Sequence, residues 1–260
     1  MEDVKTDTDG IVIQARSGST RMPSKILLPF DGEKRIIDIV IEKIKRSCPG
    51  KRIVVATTTN PADDILSEIA MRHGVDSFRG SEEDVLSRFV GAADRFGLRR
   101  IIRVCSDNPF LQTDSFPEMF IRQDNTGADY VAFAFPDGRP TIKSHIGLFA
   151  ELATTDALRR AMTLTENDPQ RKLWREHVTI FLYTHPRLFR ISLISLPPLL
   201  RLRTDLRLTL DTPSDFALLS ELYSRHSLET DASVDALVQL IDSNPEYGRI
   251  MKQNIALNEK

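Results

Sequence analysis

Residues 10–30, GIVIQARSGSTRMPSKILLPF, run a short apolar segment directly into a polar, cationic loop. Ile11, Val12 and Ile13 are consecutive and β-branched, the composition of a strand buried on both faces of a parallel sheet. The residues after it cannot enter a core, because Arg16, Arg21 and Lys25 are interspersed with Ser17, Gly18, Ser19 and Thr20. Flexible backbone N–H groups, hydroxyl donors and fixed positive charges together make a concave anion site, suited to a triphosphate. A loop of this composition is ordinarily solvated surface. Its place after the first strong strand argues for a ligand, since open α/β sheets bind ligands at the carboxyl ends of their strands. The common NTPase and dinucleotide fingerprints are excluded, as neither G-x-x-x-x-G-K-[ST] nor G-x-G-x-x-G occurs.

The rest of the chain alternates in the same manner. Ile36, Ile37, Val40, Ile41 and Ile44 recur at helical spacing, Lys and Arg gather toward Arg46, and Pro49-Gly50 stops the run. Residues 52–57 read as a second buried strand, and Asn60-Pro61 opens a helix. A short strand is expected at 75–78, a helix at 82–96, strands at 101–105 and 129–135, and a helix between them at 113–123. Helical periodicity resumes at 151–162, residues 206–210 alternate as a strand, Phe216 to Leu222 begin a helix, and 232–250 read as packing helices. The expectation is a three-layer α/β/α sandwich around a mostly parallel sheet. Residues 1–9 read as a loose tail ahead of a single domain over 10–260. Asp7-Thr8-Asp9 spells a D-x-D, but ahead of the first strand it reads as a solvated terminus.

Two carboxylates stand at strand ends. Asp107 follows the strand at 101–105 within Ser106-Asp107-Asn108-Pro109, a turn that would hold it at a crevice, with a helix cap as the plainer reading. Asp211 follows 206–210, whereas Asp215 reads as a first-turn residue favoured by the helix dipole. Together with the cationic loop, Asp107 and Asp211 suit Mg²⁺ and a nucleoside triphosphate, because Mg²⁺ takes one or two protein carboxylates plus waters and phosphate oxygens. No covalent nucleophile is needed. His73, His145, His177, His185 and His226 lack ligand spacing and read as structural or exposed.

Composition excludes several classes. A formal net charge of −2 offers no bulk attraction to nucleic acid. No stretch reaches the roughly 18 apolar residues of a membrane span, and the opening residues form no apolar signal. Cys48 and Cys105 stand far apart without partners at metal spacing, which suits a reducing cytoplasm.

Ile13-Gln14-Ala15-Arg16, then Ser19-Thr20-Arg21-Met22-Pro23, Lys25 and Leu27, closely resemble the signature loop of the cytidylyltransferases that activate sugar acids. That family includes the CMP-Kdo and CMP-sialic acid synthetases, and the branch most similar is that of the spore coat polysaccharide protein SpsF. EDVLSRF, SDNP, REHVT and LTLDTPSD extend the resemblance from Ile11 to Leu219. The resemblance implies a nucleotide-diphospho-sugar transferase fold, GT-A-like and Rossmann-like, and transfer of CMP from CTP to the anomeric hydroxyl of a sugar acid with release of pyrophosphate. It implies that Arg16, Arg21 and Lys25 neutralise phosphates, that Gln14 and Ala15 border the nucleoside beside Ser17, Gly18, Ser19 and Ser106, and that Asp107 and Asp211 hold Mg²⁺. Arg79, Gly80 and Ser81 carry either a nucleotide contact or, through Ser81 and Asp84, a capping box. Arg175, Glu176 and His177 are assigned to the acceptor pocket or the interface of a homodimer, which residues 140–185 would form. The chain departs from the pattern at Ser24 and Ser106, where Gly is usual, and at Gln112, where an acid is frequent. The two serines add a Cβ where backbone approaches the ligand, which points to altered substrate or weakened activity. Another NTP or a sugar 1-phosphate as substrate, or nucleotide binding without turnover, are the alternative readings.

Overall fold

The computed structural model describes residues 8–225 and 233–258. In chain order, β1 (Thr8–Gln14) leads through the cationic loop to a small hairpin, β2 (Pro29–Asp31) and β3 (Lys34–Arg35), and to helix α1 (Ile36–Ser47). Then come β4 (Arg52–Thr58), α2 (Asp64–Arg72), β5 (Asp76–Gly80), α3 (Val85–Phe96), β6 (Leu98–Cys105), α4 (Phe116–Thr126) and β7 (Tyr130–Ala134). The chain continues through β8 (Glu151–Thr154), α5 (Thr155–Leu164), α6 (Arg171–Glu176), α7 (Ile180–Thr184) and β9 (Ile191–Ser195), and closes with α8 (Pro213–Arg225), α9 (Val234–Ser243) and α10 (Pro245–Leu257).

Seven strands make one sheet in the order β5-β4-β1-β6-β8-β7-β9. β8 runs antiparallel to both β6 and β7, and every other pairing is parallel. Successive side chains of a strand leave on opposite faces, and this divides the core in two. Ile11, Ile13, Ile53, Val55, Ile102 and Val104 pack with α1, α2, α4 and the C-terminal helices. Val12, Val54, Ala56 and Ile101 pack on the other face with α3, α5 and the aromatic residues around α7. The β-branched runs at β1 and β4 follow from this, because a strand covered on both faces has no position to spare for a polar side chain. The observed architecture is the expected α/β sandwich. No helix among the described residues is long and apolar enough to cross a membrane.

Several expectations need correction. The first strand starts at Thr8. Asp9 is therefore part of the sheet, its carboxylate gripping Arg100 at 2.6 and 2.7 Å and Lys51 at 3.1 Å. Asp7 and His226 lie outside the described residues. The span 151–162 is not one helix: its first residues form β8, and Thr154 ends the strand while capping α5 by accepting from Ala157 N–H at 3.2 Å. α3 starts at Val85 rather than 82, because Asp84 caps it by accepting the Ser87 N–H at 2.8 Å.

Residues 206–210 are extended but join no sheet. Their N–H groups go to separate segments, Leu208 to His145 O at 2.9 Å and Leu210 to Asp107 O at 3.0 Å. The alternation is real, since Leu206, Leu208 and Leu210 are buried in the core. Its cause is the division between core and polar site rather than a strand ladder. Gly147 lets this segment pass: φ is +59°, and a Cβ there would lie 2.8 Å from the Leu208 carbonyl carbon. Gly147→Ala is expected to cost about 2–4 kcal/mol, the sum of a left-handed backbone and a clash against backbone atoms, read as a lowered urea midpoint.

Candidate active site

The carboxyl ends of β1, β4, β5 and β6 share one edge of the sheet, and the site is built there. Gln14 O accepts the Ser106 N–H at 3.2 Å and Ala15 N–H donates to Ala56 O at 3.2 Å, so the cationic loop leaves the sheet between β4 and β6. Ser17 then donates through its N–H at 2.7 Å and its hydroxyl at 2.6 Å to one oxygen of Asp63, while Thr58 donates its hydroxyl to the other. Asp63 is 2% exposed. Burial by itself would raise its pKa, but the Ser17 and Thr58 hydrogen bonds outweigh it and hold the carboxyl below its ordinary value. Reading the sequence missed Asp63, whose only local signal was the helix opening at Asn60-Pro61.

At Ser24 the loop turns back. Its N–H donates to Ser17 O at 2.8 Å, and it is the one non-glycine residue at positive φ among those described, at 56°. The following 3₁₀ turn, Lys25–Leu27, buries Ile26 in the core. Lys25 is thereby fixed at its backbone while its ammonium donates to Asp107 Oδ2 at 2.8 Å and to the Leu210 carbonyl, and lies 3.5 Å from Asp211 Oδ1. Arg21, half-exposed, donates to the same Asp211 oxygen at 2.8 Å. Burial would lower the Lys25 pKa, yet Asp107 and Asp211 beside it raise it on balance.

Asp211 is held from behind. Arg207, 1% exposed, donates to both oxygens of Asp215 at 2.7 and 2.8 Å and reaches Asp211 Oδ2 at 3.4 Å. Asp215 accepts the N–H groups of Asp211 at 3.1 Å and Thr212 at 2.9 Å. Asp215 is thus more than a favourable first-turn charge, being the buried anchor of the segment that presents Asp211. Burial would raise its pKa, but the Arg207 guanidinium outweighs that and holds it below 3.8.

A second cationic group lies under the loop. Arg103 donates to Glu151 at 2.6 Å and to the Gln14 side-chain oxygen at 3.0 Å, which fixes that amide. Arg88, 1% exposed, donates to Ser81 O at 2.6 Å but leaves Nε and Nη2 without partners. Its pKa falls to about 10, first through burial and then through the nearby positive charge of Arg16. Arg16 itself is half-buried, and Gly18 and Ser19 lie on the accessible turn of the loop.

Other predicted residues are engaged elsewhere. Ala15 is buried in the core. Arg79 donates to the carbonyls of Thr58 and Asn60, both at 2.9 Å, and pairs with Asp64, so it clamps the connection from β4 to α2. Gly80 packs against Arg88, whose Cγ would lie 3.0 Å from an added Cβ. Ser81 accepts the Asp84 N–H at 3.0 Å, but Asp84 itself caps α3 and spends its carboxylate on the Ser87 N–H, so Ser81 is not the helix cap that the sequence suggested. Ser106 is buried, and Gln112 spends its N–H on Leu148 O and its amide on Phe110 O. Arg175 is buried against Glu166 at 2.5 Å, Asp84 at 3.3 Å and Met162 O at 3.0 Å, a tie among α5, α6 and α3, while Glu176 and His177 are exposed. None of these contacts joins the Lys25 cluster.

Comparison with known proteins fits this geometry. A family model described as cytidylyltransferase matches residues 11–240. The chain is 31% identical to the spore coat polysaccharide biosynthesis protein SpsF of Bacillus subtilis, over 90% of this chain and 94% of that protein. It is 34% identical to an uncharacterized protein of Methanocaldococcus jannaschii over 92% of both chains. A cytidylyltransferase structure from Leptospira borgpetersenii superposes with a TM-score of 0.80 at 29% identity, covering 93% of this chain and 96% of the other. The chain belongs to the cytidylyltransferase family. It is a nucleotidyltransferase, and its relatives extend to polysaccharide biosynthesis.

Two measurements probe the framework. Ser24→Gly relieves the left-handed serine at a smaller entropic cost, and a gain of about 0.5–1 kcal/mol in urea unfolding is expected. The Asp215–Arg207 pair contributes fully above pH 3.8 and fades as pH falls through the lowered folded-state value. Asp215→Asn should therefore cost about 3 kcal/mol near neutrality and leave a shallower acid limb in stability against pH.

Proposed function

We propose that the chain transfers a cytidylyl group from CTP to the anomeric hydroxyl of a sugar acid, of the Kdo or nonulosonic-acid kind, releasing pyrophosphate during synthesis of a surface polysaccharide. The observation that carries this reading is the Lys25 ammonium held between Asp107 and Asp211 at the mouth of a loop bearing Arg16 and Arg21. One rim supplies cations and backbone donors for phosphates, and the other supplies carboxylates.

The carboxylates fit a divalent cation. Asp107 and Asp211 already direct oxygens at one positive charge, and they form the two-carboxylate oxygen set that Mg²⁺ accepts. Among the described residues no group of three or more acidic, His or Cys side chains gathers, which leaves the other positions to water and nucleotide oxygens. When bound, Mg²⁺ would offset the charge of the triphosphate. Arg21 and Lys25 exchange their carboxylate partners for phosphate oxygens in this reading, and the Asp63-pinned turn keeps the Gly18 N–H and the Ser19 hydroxyl in place. The acceptor oxygen bonds to the α-phosphorus, the bond to the α–β bridging oxygen breaks, and the hydroxyl proton passes to solvent. Positioning and electrostatics supply the rate.

The same reading makes the chain a single domain that opens with β1, a homodimer, and a protein of the reducing cytoplasm. Leu164 and Leu173, both exposed, fall within 140–185, and Cys48 and Cys105 form no disulfide. Light scattering at micromolar concentration is expected to give a dimer mass, and a monomer would count against it.

The direct test is pyrophosphate release from each NTP with Mg²⁺ and a panel of sugar acids. CTP-selective release is expected, and Asp107→Asn should lower kcat by about 100-fold or more while the unfolding midpoint stays near wild type, whereas Lys25→Met should lower kcat as much and also lower the midpoint, since it leaves Asp107 and Asp211 without their shared cation. Preference for UTP or GTP would assign another nucleotide. Tight CTP binding with no release under any acceptor would make the protein a binding module.

A further inference from the structure

Beside the two carboxylates is a cavity of about 100 Å³ whose lining includes Asp107, Asn108, Thr141, Phe149 and Asp211. Asn108 and Thr141 are 5% and 3% exposed, and each leaves a side-chain oxygen, Asn108 Oδ1 and Thr141 Oγ1, without a hydrogen-bond partner. A buried polar atom left unpaired costs about 1–3 kcal/mol, so two of them around one small cavity point to a guest that pairs with both. The polar lining is rich in acceptors: an amide oxygen, the hydroxyls of Thr141, Ser144 and Thr209, and two carboxylates. No Lys, Arg or His lines it. The wall also carries Ile142 and Phe149, which suit the carbon face of a sugar chain.

Such a lining selects by charge. A guest bearing hydroxyl donors satisfies Asn108 Oδ1 and Thr141 Oγ1. A guest carboxylate would be buried beside Asp107 and Asp211, whose neighbouring cations Lys25 and Arg21 already pair with them, so it would meet no cation of its own, and burying an unpaired charge is far costlier than burying a hydroxyl. The volume corresponds to about three waters' share of liquid volume, enough for a short polyol arm but not for a whole sugar ring.

We propose that this cavity is a subsite for an uncharged, hydroxyl-bearing arm of the acceptor, and that any acceptor carboxylate stays outside it. The inference rests on the proposed acceptor chemistry, and it names Asn108 and Thr141 rather than Arg175 to His177 as residues that choose the acceptor.

The test compares glycerol with glycerate, which has the same carbon count and a carboxylate. Both are titrated into the full-length protein without added divalent cation while amide and side-chain NMR signals of residues 105–111 and 139–149 are followed. Saturable shifts at Asn108 and Thr141 are expected with glycerol, at least tenfold weaker with glycerate, and at least tenfold weaker for glycerol in Thr141→Val. Equal or tighter glycerate binding, or no glycerol shifts at these residues in the wild type, overturns the proposal whatever the variant does. CTP titration monitored at residues 14–25, with pyrophosphate release, reports separately on the transfer reading. Glycerol selectivity without CTP binding would sink that reading alone, and CTP turnover without glycerol selectivity would sink this one alone.

Discussion

One ammonium group joins the parts of this site. Lys25 reaches Asp107, the Leu210 carbonyl and Asp211, and so connects the loop after β1, the turn after β6 and the extended segment ahead of α8. Removing it would leave two carboxylates at a partly desolvated edge without the cation they share, where their like charges repel. Unit charges about 4 Å apart interact by about 4 kcal/mol at the effective dielectric of such a place, so the cation decides whether the arrangement holds. Its own position is set locally, by Ile26 in the core behind it and by the left-handed turn at Ser24 in front.

Two buried carboxylates brace the two sides of this link by different chemistry. Asp63 is held as the carboxylate by hydrogen-bond donors, the Ser17 amide and the Ser17 and Thr58 hydroxyls. Asp215 is paired with a fully buried arginine and still accepts two backbone N–H groups. The first arrangement leaves the cationic loop with its positive charge intact, because none of Arg16, Arg21 or Lys25 is used to hold Asp63. The second lets Arg207 lend part of its charge to Asp211, so the pair that buried Asp211 makes with half-exposed Arg21 is tuned from beneath the surface. Preorganisation of this kind lowers the ordering cost that a ligand would otherwise meet.

What could be read from the sequence was whatever burial on two faces dictates. β1 and β4 are β-branched runs because each is covered by helices on both sides, and the loop after β1 could be picked out because a cluster of charge follows such a strand directly. β8 was not legible: it is four residues long, contains the buried Glu151 that Arg103 satisfies, and runs without a break into α5. Residues 206–210 misled in the opposite sense, having a strand's period without a strand's partner. In the site, the loop cations and Asp107 and Asp211 could be picked out by type and place. Asp63 and Arg88 could not, since an acid at a helix start and an arginine on a helix are ordinarily solvated, and only tertiary packing removes them from water.

The reversed direction of β8 has a further meaning for how such a sheet can change its clientele. β5, β4, β1 and β6 end at the rim, whereas β8 begins there, its Glu151 opposite Arg103 and Ala132. The chain between β7 and β8 is therefore an excursion that leaves the rim and returns to it, carrying Thr141, Gly147 and Phe149. Such a detour can lengthen, shorten or exchange side chains without shifting the register of any strand that carries the cationic loop. The excursion is tied to the segment that presents Asp211 through His145 O, which accepts the Leu208 N–H, so side chains away from that contact could be exchanged while the cationic loop stays as it was.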